Sequence, residues 1–78
     1  MPDLFSEQTA ARRLGDTVRE LRHIRGWTQK EYAARAGVHH GYISHLECGR
    51  KTPSLKILLV LAAPFDATPS ELLAEARL

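Results

Sequence analysis

Cysteine is almost missing from this chain: Cys48 is the only one in 78 residues. No intramolecular disulfide can form, and a reducing compartment is the expectation. Aromatics are few, one Trp, two Tyr and two Phe, and runs of alternating β-branched residues are absent. A sheet-based core is therefore not expected, and the fold class reads as all-α. No apolar run approaches the ~20 residues of a membrane span. The opening MPDLFSEQ lacks the basic segment and apolar stretch of a secretory signal. A soluble cytoplasmic protein is expected, with no membrane partner. There is no carboxylate pair, glycine-rich phosphate loop or credible nucleophile–base–acid set, so catalysis and a cofactor are not expected either.

What is present fits one small domain across residues 1–78. The net charge of +2 permits a nucleic-acid partner without requiring one. The basic residues fall mainly between Arg12 and Arg35, with Arg50, Lys51 and Lys56 as a separate group and Arg77 near the end.

Punctuation and periodicity predict five helices. Ser6 or Thr9 can start the first, whose apolar face is Leu14, Val18 and Leu21, and Gly26 stops it. Residues 1–8 are expected to be loosely ordered. Thr28 caps the second helix, and Glu31 completes a capping box in TQKE. Gly37 ends that helix, and only Val38 and His39 separate it from a third helix, 39–48, with Ile43 and Leu46 facing inward. Gly49 ends the third. Ser54 caps a fourth through LKILLVLAA, which Pro64 should cut short. TPSE opens the fifth, with Thr68 as cap, Pro69 at the first helical position and Glu71 closing the box. The centre of this layout, about residues 28–48, is two short helices joined by a tight glycine turn, the helix-turn-helix plan.

The stretch VRELRHIRGWTQKEYAARAGVHHGYISHLECGRKTPSL, Val18 to Leu55, resembles the phage-repressor-type (Xre/Cro) helix-turn-helix family. The resemblance runs over about residues 10–75 and lies in LR…RG-T-Q-E…A…AG, YIS-LE-G and PSL. It implies a compact five-helix, lambda-repressor-like domain, sequence-specific binding to double-stranded DNA, a nucleoid-associated location and usually a homodimer. By position Gln29 matches the family glutamine that commonly bonds a phosphate. A helix N-terminus already favours an anion there, and a solvent-exposed Gln beside a capping box is the alternative. Arg22 and Glu47 match an ion pair that fixes geometry between the first and third helices.

Departures from the family pattern are concentrated in HHGYISHLECGR. His39, His40, Gly41, Ser44 and His45 stand where the family often has Gln, Arg, Lys, Asn or Thr. Cys48 replaces a commonly polar residue, and Pro64-Phe65 interrupts where the fourth helix usually continues. Early residues of a recognition helix reach base edges in the major groove. His40, Gly41, Ser44 and His45 are accordingly the expected base contacts, because a histidine N–H can donate to guanine N7 or O6. Gly41 would allow close approach of the backbone, or is simply tolerated in a first turn. Phosphate contacts are expected from Thr28, Gln29, His39, Tyr42, Arg50, Lys51 and Thr52. His39 can instead cap its helix, Tyr42 can belong to the core, and the loop charges can be ordinary solvated ones. Protonation of the histidines would make DNA binding depend on pH between about 5.5 and 7.5.

His45 and Cys48, one helical turn apart, with His39 and His40 nearby, are candidate zinc ligands, but the two histidines at 39 and 40 lie at the opposite end of helix 39–48. A structural zinc site needs convergent ligands, so no metal is expected. A Cys48 thiol sensor would lack a resolving partner.

Helix four is apolar nearly all round. Residues 55–78 form the expected dimerisation surface, with Pro64, Phe65, Leu72, Leu73 and Ala76 at the interface, unless they merely complete the core. No ligand-sensing domain is expected in 78 residues, and with GYISHLE the size resembles restriction–modification controllers more than phage-type or antitoxin-like regulators. A protein partner, a toxin or RNA polymerase, belongs to the runner-up reading, a protein-interaction module with weak DNA binding.

Overall fold

The computed structural model describes residues 6–78. Five α-helices follow one another: α1 Glu7–Ile24, α2 Gln29–Ala36, α3 His40–Glu47, α4 Leu55–Ala62 and α5 Pro69–Glu75, with a 3-10 turn at Ala63–Phe65. No strand occurs among the described residues, as the composition implies.

Local chemistry accounts for most boundaries. The Ser6 hydroxyl accepts from the Thr9 N–H and caps α1. The expectation of loose order therefore fails for Glu7 and Gln8, which are helical; residues 1–5 lie outside the described residues. Both capping boxes form, Thr28 with Glu31 and Thr68 with Glu71. Each satisfies two N–H groups that a helix start otherwise leaves unpaired. Gly37 adopts the left-handed conformation at φ 74°, and the Val38 N–H returns to the Ala33 carbonyl at 3.0 Å. This reverses the chain toward α3 within two residues. Pro64 has no N–H to give the Val60 carbonyl, so α4 ends at Ala62 and tightens into the 3-10 turn.

The core lies where all five helices meet, around Leu14, Val18, Tyr32, Ile43, Leu46 and Leu61. Gly15 is what lets α1 approach α3: a Cβ there would run into the Leu46 carbonyl. Glycine in a helix interior costs about 1 kcal/mol relative to alanine, and backbone contact with α3 is the return. On the other side, Tyr32 is fully buried and its hydroxyl donates to the Leu61 carbonyl at 2.7 Å. Trp27, Tyr32 and Phe65 pack ring on ring, with centroids 5.0–6.2 Å apart. Arg35 lies over the Trp27 face at 4.5 Å, within the range of a cation–π contact.

This packing corrects part of the expected dimer interface. Phe65, Leu72 and Ala76 are buried in the chain's own core, because the 3-10 turn folds Phe65 inward and α5 turns Leu72 and Ala76 toward α4. Pro64 and Leu73 remain half-buried. The larger exposed apolar side chains are Ile24, Leu55, Leu59 and Leu78. No single helix among the described residues is long and apolar enough to cross a membrane.

Candidate nucleic-acid interface

The α2–turn–α3 unit is anchored from beneath. Ile43 and Leu46 are fully buried, and their three-residue spacing fixes which edge of α3 faces out. On that edge His40 and His45 are exposed, while Gly41 and Ser44 are partly exposed. Four side-chain positions expected at base edges thus share one accessible ridge without a formal charge. Among the described residues no three His, Cys, Asp or Glu side chains are grouped as metal ligands would be.

His39 is the N-cap of α3: its ring Nδ1 accepts from the Gly41 N–H at 3.0 Å. An Nδ1 that accepts carries no proton, so the neutral ring holds its proton on Nε2 and is a donor there. The His40 ring stacks on it, centroids 4.5 Å apart. A Cβ on Gly41 would sit 3.1 Å from that Nδ1. The glycine therefore has a reason inside the protein, room for the imidazole cap, in addition to any approach to DNA.

A buried network ties this ridge to the start of α2. Arg22 Nε donates to Glu47 Oε2 at 2.7 Å, and a second guanidinium nitrogen donates to Oε1 at 2.9 Å. The third donates to the Trp27 carbonyl at 2.8 Å. Hydrogen bonding to Glu47 raises the Arg22 pKa above its ordinary value, against the opposing effect of burial. The ion pair implied by the family resemblance is thus formed, bidentate and largely closed to solvent. Gln29 Nε2 also donates to Glu47 Oε1, at 3.2 Å. One of its amide hydrogens is held inward, and the other is left for a partner outside.

The remaining expected phosphate contacts surround the ridge. Thr28 is exposed and its hydroxyl accepts from the Glu31 N–H, leaving its own hydrogen free to donate. Donation from the Thr28 backbone N–H holds the Glu31 carboxyl below its ordinary range. Tyr42 is half-buried, and burial pushes its phenol up, so the hydroxyl stays a neutral donor. Lys51 Nζ lies 5.9 Å from the Tyr42 ring centroid, folding the loop back toward α3. Arg50, Lys51 and Thr52 are all exposed.

Three features had weak signals in the sequence. Gly15 is marked only by being a glycine on a core-facing helix. The Gln29–Glu47 bond joins residues 18 apart. The Tyr32–Leu61 bond uses a backbone acceptor that no motif announces.

Known proteins share this architecture. The HTH-type transcriptional regulator DdrOP3 of Deinococcus deserti is 41% identical over 61 residues, which are 78% of this chain and 47% of that protein. The chain thus spans about half the length of that relative. Among solved structures, the clp gene regulator ClgR of Corynebacterium glutamicum superposes with a TM-score of 0.79 at 34% identity, over 87% of this chain and 72% of that one. The restriction-modification controller protein C.AhdI of Aeromonas hydrophila gives 0.74 at 34% identity, over 80% and 94%. The family description that matches residues 13–75 is that of a helix-turn-helix domain, and the chain belongs to the helix-turn-helix domain family.

Proposed function

We propose that this chain is a transcriptional regulator that binds double-stranded DNA in a sequence-specific way and inserts α3 into the major groove. The observation that carries the reading is the ridge of His40, Gly41, Ser44 and His45, uncharged and accessible above a helix whose other face is locked in the core. Imidazole and hydroxyl groups match the mixed donor and acceptor edges of base pairs. Thr28, Gln29, His39, Tyr42, Arg50, Lys51 and Thr52 hold the phosphates on either side and set register rather than sequence. The family is one of DNA-binding rather than catalytic domains.

The protein acts as a homodimer on a palindromic operator. Leu55 and Leu59, exposed and one turn apart on α4, support this, together with the partly open Pro64 and Leu73. A two-fold axis would set the two α3 helices about 34 Å apart, one turn of DNA. Selection from random duplex DNA, with the mass in solution measured alongside, tests both statements. Enrichment of a palindrome with half-sites one turn apart and a dimeric mass is expected. A folded protein that enriches nothing would overturn the reading in favour of a protein-interaction module. A selected operator lying beside endonuclease and methylase genes would give it the controller role.

A further inference from the structure

We propose that the first turns of α1 carry a second phosphate-binding track, in which Gln8 and Arg12 join the Gly49–Thr52 loop to hold duplex backbone beyond the bases under α3. The proposal rests on the DNA-binding reading above and extends the surface to residues that neither the helix-turn-helix unit nor its loop contains.

The geometry begins at Gly49, which ends α3 with φ 73°. A Cβ on Gly49 would lie 3.2 Å from the Arg12 Cα and 3.5 Å from its Cβ. The loop backbone therefore rests directly on α1, and the two basic segments, remote in sequence, form one surface. A groove of about 190 Å³ runs between them, bordered by Glu7, Gln8, Gly49, Arg50, Lys51 and Thr52. A second, of about 340 Å³, continues along α1 past Gln8, Thr9, Arg12, Arg13 and Asp16. Gln8 borders both, and its four-residue spacing from Arg12 puts the two side chains on one helix face.

Charge favours an anion in this channel. Arg12, Arg13, Arg50 and Lys51 bring four positive charges against two carboxylates, Glu7 and Asp16. Among the described residues the one ion pair is Arg22–Glu47, so these four cations hold no carboxylate there. Arg12, Arg50 and Lys51 are exposed. A guanidinium fork, an ammonium, a carboxamide and a threonine hydroxyl along an open channel suit successive phosphates of an extended polyanion. The channel starts where α3 ends, so a duplex seated on α3 continues into it.

Binding of the selected operator, in duplexes with progressively longer flanks, tests the track. Arg77→Ala removes the same charge outside both grooves and serves as the comparison. With long flanks, Arg12→Ala should weaken binding to operator and to scrambled duplex alike. It should also flatten the salt dependence by about one phosphate per protomer, two for the dimer, roughly a tenfold smaller loss of affinity between about 50 and about 200 mM salt. Gln8→Ala should weaken binding without changing the slope. Trimming the flanks should bring the wild type down to Arg12→Ala. If Arg12→Ala matches Arg77→Ala in affinity and slope while the wild type still selects its operator, the track is refuted and the parent reading stands. Weakening that ignores flank length would also overturn it, because the contact would then lie inside the operator. A wild type that selects no duplex at all removes both.

Discussion

α3 and α4 are each eight residues long, and they leave opposite things outside. α3 buries Ile43, Leu46 and Glu47 and presents rings and a hydroxyl to solvent. α4 has the more apolar sequence, yet buries only Leu61 and Ala62 completely and leaves Leu55 and Leu59 well exposed. Isolated exposed leucines mean little on a protein surface. Two of them one turn apart, on a helix apolar nearly all round, make a patch. The difference teaches that apolar content alone does not locate the core: α3 is held by three side chains aimed inward, while α4 has apolar surface in excess of what the fold uses. On the proposed reading, the polar ridge of α3 is the side that meets bases and the apolar patch of α4 the side that meets a second copy of the chain.

The sharpest break in that contrast is at Glu47, the acidic side chain that α3 buries. Glu47→Ala would leave the Arg22 guanidinium enclosed and unpaired and release Gln29. Removing one member of a buried pair costs about 3–5 kcal/mol, a large fraction of a small domain's stability. A large fall in the urea midpoint is expected. A change below about 1 kcal/mol would mean that water reaches Arg22 and that the network does not hold α3 to α1.

The α4 side of the comparison turns on Leu59. Leu59→Ser should halve the mass in solution while altering monomer stability by no more than about 0.5 kcal/mol, as exposed positions usually do. An unchanged dimeric mass would place the self-association surface elsewhere. Tyr32 ties α2 to α4 through the Leu61 carbonyl, and Tyr32→Phe should cost about 1 kcal/mol at neutral pH. Burial raises the Tyr32 phenol above its ordinary value. The unfolded chain therefore ionises first, so this contribution is complete below about pH 10 and lost as pH rises beyond it. Urea midpoints from neutral to alkaline pH should fall less for Tyr32→Phe than for the wild type. Equal declines would take Tyr32 out of the alkaline transition.

On the exposed ridge the effects concern DNA. His45→Ala should reduce discrimination between operator and scrambled duplex by about 1 kcal/mol. Arg50→Ala should weaken both alike and flatten the salt dependence. Equal losses for His45→Ala on the two duplexes would remove it from base reading.

The legible parts of this molecule are those written in local chemistry. Thr28-Glu31 and Thr68-Glu71 announce helix starts because a capping box spans three residues. Gly37 announces the turn because few other residues tolerate its φ, and Pro64 announces the end of α4. Ile43 and Leu46 follow from period alone. The interface assignments for Phe65, Leu72 and Ala76 failed because periodicity reports that a face is apolar, not whether the chain itself covers it. Covering Phe65 depends on the aromatic contacts with Trp27 and Tyr32, more than 30 residues away. Gly15 stayed silent for the same reason, since its partner is the backbone of another helix. In the candidate site the ridge was readable, but the hydrogen bond between Gln29 and Glu47 was not, because it joins two helices.

The smallest expected effect separates two explanations for one ridge residue. Gly41 sits in the first turn of α3, where alanine would gain up to about 1 kcal/mol of helix propensity. Its Cβ, however, would press on the His39 Nδ1 at 3.1 Å and disturb a cap worth about 1 kcal/mol. The two terms oppose each other at similar size, so Gly41→Ala should leave stability within about 0.5 kcal/mol of the wild type. In the double variant His39→Ala/Gly41→Ala the imidazole is gone, and adding alanine at 41 should then stabilise relative to His39→Ala alone. Urea denaturation of the four proteins measures this coupling. If alanine at 41 stabilises equally with and without His39, the cap does not require the glycine. Operator affinity of Gly41→Ala would then decide between the other two readings: a fall means close approach of the α3 backbone to DNA, and no change means a glycine merely tolerated in the first turn.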